Sequence, residues 1–64
     1  MKLVFEPADI GREAHRSAQT VKRVAAELGI EPLRTRRGAR LFTAEQAARI
    51  RAEIERRERE GMER

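Results

Sequence analysis

Ser17 and Gly29 frame the stretch that most constrains this chain. Between them Val21, Val24, Ala25 and Leu28 fall at i, i+3, i+4 and i+7, which places these four apolar side chains on one face of an α-helix. Ser17 stands at the N-cap position, where its hydroxyl accepts from the otherwise unpartnered backbone N–H of Gln19 or Thr20. Gly29 follows the last stripe residue, where a left-handed C-terminal cap favours glycine.

Two further helices supply partners for that stripe. Pro7 suits an opening helical turn, and the spacing predicts a first helix over Ala8 to Ala14, with Ile10 and Ala14 on its buried face. It is short and partly polar, so it depends on packing rather than propensity. Thr43-Ala44-Glu45-Gln46 is a capping box, so a third helix starts at about Ala44 and turns Ala47, Ile50 and Ile54 inward. Glu45–Arg49, Glu53–Arg57 and Glu55–Arg59 are i, i+4 pairs in the favourable order along it. Val21, Val24 and Leu28 are expected to pack against Ile10 and Ala14 on one side and Ile50 and Ile54 on the other.

The remaining apolar stretches read as strands. Lys2 to Phe5 is extended, while Ile30 to Arg36 and Ala39 to Phe42 form a hairpin turning near Arg37-Gly38. Beyond Ile54 the chain is polar until Met62, a solvated helical extension ending near Gly61. The reading is thus one domain over residues 1–60 and a frayed tail over 61–64. The expected fold is α+β and mostly helical, with three helices and a small β-hairpin.

Charge is concentrated in that hairpin. Arg34-Thr35-Arg36-Arg37-Gly38-Ala39-Arg40 holds four arginines and no acid, which equals the net charge of +4 for the whole chain. Residues 1–33 carry five cations and five carboxylates, and residues 41–64 carry six of each. Like charges so placed repel one another unless an anion is present, and an extended polyanion such as a nucleic-acid backbone fits a cationic finger.

Composition removes other classes. The chain has no cysteine and a single histidine, His15, so no thiolate metal site and no cofactor is expected, and no catalytic residue is assigned. No apolar stretch approaches membrane-spanning length, and a soluble cytoplasmic protein is expected. Phe5 and Phe42 are the only aromatics, which argues against stacking single-stranded bases.

A first helix, a tight turn and a striped second helix are the parts of a helix-turn-helix. In that arrangement the second helix presents its N-terminal residues to the major groove of DNA. The stripe leaves Gln19, Thr20, Lys22 and Arg23 on or near the free face. Gln19 suits an adenine edge and Arg23 a guanine or a phosphate, while Thr20 and Lys22 suit phosphate.

These residues resemble a known family. Pro7-Ala8-Asp9-Ile10-Gly11 followed by Ser17-Ala18-Gln19-Thr20-Val21-Lys22-Arg23 is similar to the Pro-Ala-Glu-Val-Ala … Ser-x-x-Thr-Val-x-Arg pattern of MerR-like and excisionase-like DNA-binding domains. Arg34 to Phe42 is similar to their wing, Arg-Thr-x-x-Gly-x-Arg-x-aromatic, and the resemblance spans about residues 7–54. It implies a winged helix-turn-helix in which Ser17, Gln19, Thr20, Lys22 and Arg23 match recognition-helix contacts. The wing around Arg36 to Arg40 would grip the backbone or the adjacent minor groove, with Arg34, Arg37 and Arg40 at matching positions. His15 stands where the family has its turn glycine; histidine tolerates positive φ moderately. Arg16 replaces a small apolar residue and must snorkel outward or contact phosphate.

The expected function is sequence-specific binding of double-stranded DNA, as a small transcription regulator or an excisionase-type recombination directionality factor. Copies of the chain are expected to cooperate on adjacent sites. Two other classes fit the composition. One is a protein-interaction module, such as an antitoxin or the DNA-recognition subunit of a packaging machine, docking through the charged third helix. The other is a protein whose arginine loop binds the phosphates of a folded RNA.

Overall fold

The computed structural model describes residues 3–61. Along them run β1 (Val4–Phe5), α1 (Pro7–Ala14), α2 (Ala18–Glu27), β2 (Leu33–Arg34), β3 (Arg40–Thr43) and α3 (Ala44–Gly61). The fold is α+β and mostly helical: a helix-turn-helix, a hairpin, and a long closing helix. The strands form one antiparallel sheet in the order β1-β3-β2.

α1 begins at Pro7, one residue before Ala8, because a proline without an N–H fits the first helical position. The Glu6 backbone N–H donates to the Asp9 carboxylate at 3.0 Å, closing the entry. His15 ends the helix in the left-handed region, at φ 58° and ψ 43°. The N–H groups of His15 and Arg16 reach back to the carbonyls of Arg12 and Gly11 at 3.4 and 2.8 Å. This closure ordinarily uses glycine. Here the glycine that matters stands inside α1, since a Cβ at Gly11 would come within 2.5 Å of the Arg16 carbonyl oxygen. The turn is tight because α1 lacks a side chain where the turn crosses it.

α2 keeps the boundaries its caps predict. Thr20 N–H donates to the Ser17 hydroxyl at 3.2 Å, and Gly29 takes φ 75°. The N–H of Ile30 then bonds to the Ala25 carbonyl at 2.9 Å, which carries Ile30 into the core at 6% exposure. Leu28, the last stripe residue, is half-buried rather than enclosed.

The first strand of the hairpin is shorter than predicted, Leu33–Arg34 in place of Ile30 to Arg36, while the second is displaced by one residue to Arg40–Thr43. The ladder is Leu33 opposite Leu41 and Arg34 opposite Arg40. Ile30 is taken up by the helix cap, and Pro32 has no N–H to offer a ladder. At the tip, Thr35 N–H donates to Ala39 O at 3.0 Å, and Gly38 N–H to Thr35 O at 2.9 Å. The Thr35 hydroxyl also accepts from Ala39 N–H at 3.1 Å. Arg36, Arg37 and Gly38 (φ 83°) therefore make a three-residue loop with glycine in the left-handed position.

β3 joins the hairpin to the core. Phe42 pairs with Phe5 of β1 and is 1% exposed. Alternation along the strand puts Arg40 on the same face as Phe42. Thr43 and Gln46 close the predicted capping box from both sides, with Thr43 N–H donating to Gln46 Oε1 at 3.0 Å and Gln46 N–H to Thr43 Oγ1 at 3.1 Å. The core gathers Ile10 from α1, Val21, Val24 and Ala25 from α2, Ile30, Phe42, and Ala47, Ile50 and Ile54 from α3. Phe5, Ala14 and Leu28 pack at its edge.

Past Ile54, α3 continues to Gly61, as the polar extension predicts. Of the expected tail over 61–64, Gly61 is the last residue of α3; Lys2 and residues 62–64 lie outside the described residues.

Candidate nucleic-acid interface

The predicted site residues come from α2 and the hairpin. Ser17, Gln19, Lys22 and Arg23 are exposed and Thr20 is half-buried. The Ser17 and Thr20 hydroxyls lie 3.2 Å apart and bond to each other. Ser17 is thus committed first to capping α2. Gln19 and Arg23 stand one turn apart on the open face of the helix.

On the hairpin, Arg34, Arg36 and Arg37 are exposed and Arg40 is half-buried. Arg36 and Arg37 occupy the loop tip. Two clefts separate α2 from the hairpin, and Lys22 and Arg40 line both of them. Arg34 lines the second, beside Ala25 and Phe42. The structure therefore joins Lys22, Arg34 and Arg40 along one seam, while Arg36 and Arg37 project from the hairpin's end.

The cations divide by partner. Arg12 lies 3.6 Å from Asp9, Arg51 3.5 Å from Glu13, and Arg57 2.6 Å from Glu27. Arg56 bonds Glu53 at 2.5 Å and Glu60 at 2.7 Å. Arg16 pairs with Glu58 and also donates to its neighbour's carbonyl, His15 O, at 3.0 Å. Among the described residues, Lys22, Arg23, Arg34, Arg36, Arg37 and Arg40 have no such carboxylate.

Of the three expected i, i+4 pairs, Glu53–Arg57 closes at 2.7 Å. Glu53 holds Arg56 as well, and these two guanidiniums, Arg56 foremost, lower its pKa from 4.5 to about 2. Arg49 and Arg59 make no ion pair among the described residues, yet each stands four residues from a glutamate, Glu45 or Glu55.

Sequence reasoning left two features unassigned. Glu58 draws Arg16 sideways onto α3, and no local pattern signals a contact so distant in sequence. Glu31 lies on the wall of the second cleft, the carboxylate nearest the basic run on its N-terminal side. No helix of the described residues is long and apolar enough to cross a membrane.

Comparison with protein-family models, curated proteins and solved structures finds no match to this chain.

Proposed function

We propose that this chain binds double-stranded DNA sequence-specifically, with α2 in the major groove and the hairpin as a wing on the backbone. The observation that carries the reading is the division of cations. Among the described residues, six of them on α2 and the wing have no carboxylate partner, while five of the seven others, across α1, the turn and α3, each have one; the two left over, Arg49 and Arg59, each stand four residues from a glutamate on α3. A folded domain that leaves like charges unneutralised on one face is suited to a polyanion. The resemblance of residues 7–54 to MerR-like and excisionase-like domains supports the same conclusion.

Gln19 and Arg23 read base edges, and Lys22 and the wing arginines hold phosphates. The role is that of a cytoplasmic transcription regulator or an excisionase-type directionality factor, acting by occupying DNA rather than by chemistry. A single module of this size contacts roughly 600–1,000 Å² of protein surface. Useful specificity then comes from copies on adjacent sites.

Fluorescence anisotropy with duplex DNA, single strands and a structured RNA at one salt concentration tests the reading. Duplex binds tightest, and a two-site duplex fills cooperatively. Equal binding to all three nucleic acids, or to none, contradicts it.

A further inference from the structure

Arg34 and Arg40 stand directly opposite each other in the β2–β3 ladder. Residues so paired share a face of the sheet, with Cβ atoms about 4.5–5.5 Å apart, and like charges at that spacing destabilise the pairing. No ion pair relieves the repulsion, since neither guanidinium meets a carboxylate among the described residues. Lys22 comes to the same cleft from α2, also without an ion-pair partner among the described residues. Arg40 is half-buried beside Phe42, whose enclosure in the core fixes the strand beneath it.

From this convergence we infer that Lys22, Arg34 and Arg40 form one composite phosphate site in the seam between α2 and the wing. Its ligand is a single phosphodiester of the DNA backbone, and the assignment rests on the duplex-binding reading above. Occupancy of this site sets the register of α2 in the groove, because the same phosphate is gripped from the helix and from the wing. Arg36 and Arg37 at the tip contact other phosphates independently. Glu31 on the cleft wall limits the affinity of the site for free anions.

Two measurements test this. The first follows amide and guanidinium N–H signals by NMR as inorganic phosphate replaces chloride at constant ionic strength. Signals of Lys22, Arg34 and Arg40 shift together, those of Arg36 and Arg37 do not, and Glu31→Gln strengthens the response. Shifts spread evenly over all the arginines, or none at all, overturn the site.

The second compares the salt dependence of duplex binding for Arg34→Gln, Arg40→Gln and the double variant. Each phosphate released lowers the slope of log K against log salt by about 0.9. If the two arginines share one phosphate with Lys22, the double variant loses at most about 0.9 in slope rather than the roughly 1.8 expected of separate contacts. A loss near 1.8 overturns the shared site while leaving DNA binding intact. Clustered phosphate shifts in a protein that binds no duplex would uphold the site and remove the DNA reading instead.

Arg34→Gln separates ligand binding from a structural role. It raises the thermal midpoint of the free protein by removing repulsion while weakening duplex binding. A lowered midpoint would mean that Arg34 serves the hairpin itself.

Discussion

Where α3 meets α1 and α2, arginines alternate with carboxylates: Glu13 faces Arg51, Glu27 faces Arg57, and Arg16 faces Glu58. On the α2–wing face the cations Lys22, Arg23, Arg34, Arg36, Arg37 and Arg40 have no such partner among the described residues. What separates the two regions is whether a carboxylate meets the cation. Along the first seam the ion pairs flank Ile50 and Ile54 and hold the polar turns of α3 beyond the core. Exposed pairs of this kind contribute little to stability, about 0–1 kcal/mol for one such as Arg16–Glu58. On the second face the unneutralised charge is what the proposed DNA binding would draw on.

The largest effect is expected where the two regions meet. Phe42 lies in the core, yet its strand carries Arg40. Phe42→Ala costs about 3–5 kcal/mol, comparable to the roughly 5 kcal/mol available to a domain this small. The variant loses amide chemical-shift dispersion and duplex binding together. A well-dispersed spectrum with normal binding would show that the wing does not depend on the core.

Within the open face, the base-reading and phosphate-holding residues are expected to separate. Gln19→Ala or Arg23→Ala costs about 1–3 kcal/mol at the preferred duplex and relaxes one or two base positions. Selection from a random duplex library reads this directly. The same motif recovered at the same stringency from both variants would remove them from base recognition.

One substitution moves a cation from the paired class to the unpaired one. Glu58→Gln lowers stability by less than about 1 kcal/mol and frees Arg16 beside Ser17. The salt slope of duplex binding then steepens by up to about 0.9. An unchanged slope in the folded variant would place Arg16 outside the DNA-facing surface.

The smallest effect lies within the paired region and is read by acid. The pKa of Glu53 is lowered from 4.5 to about 2 by Arg56 and then Arg57. Its folded value lies below its unfolded one, so it contributes stability that is complete above about pH 4.5 and is lost as pH falls towards about 2. Comparing thermal midpoints of Glu53→Gln and the parent shows this, their difference narrowing across that window. A constant difference would mean that the charge of Glu53 is not what α3 uses.

What could be read from the sequence was what is local. Ser17, Gly29 and the Thr43–Gln46 box bound their helices through contacts within a few residues, and each boundary holds. The hairpin was less legible because its register depends on loop length. A two-residue turn at Arg37-Gly38 would set Arg34 against Leu41. The Thr35 contacts instead enclose three residues, and that single step brings Arg34 opposite Arg40. Composition named the arginines, but only the register shows two of them sharing a face. Gly11 and the Arg16–Glu58 pair escaped for a related reason, since each is defined by a part of the chain it meets only in the folded state. His15 was anticipated in positive φ, although the close approach that the turn requires is provided at Gly11.

If the unpaired wing arginines meet DNA and the paired seam arginines do not, one charge-matched comparison tells them apart. Arg37→Ala and Arg57→Ala each remove one positive charge, the first from the wing tip and the second from the α2–α3 seam. Duplex affinity is measured for both across a range of salt concentrations at a temperature where both are folded. Arg37→Ala is predicted to weaken binding to all duplexes alike and to flatten the slope by about 0.9, while Arg57→Ala keeps the parent slope. Equal slopes for the two variants, whether both flattened or both unchanged, would contradict the account.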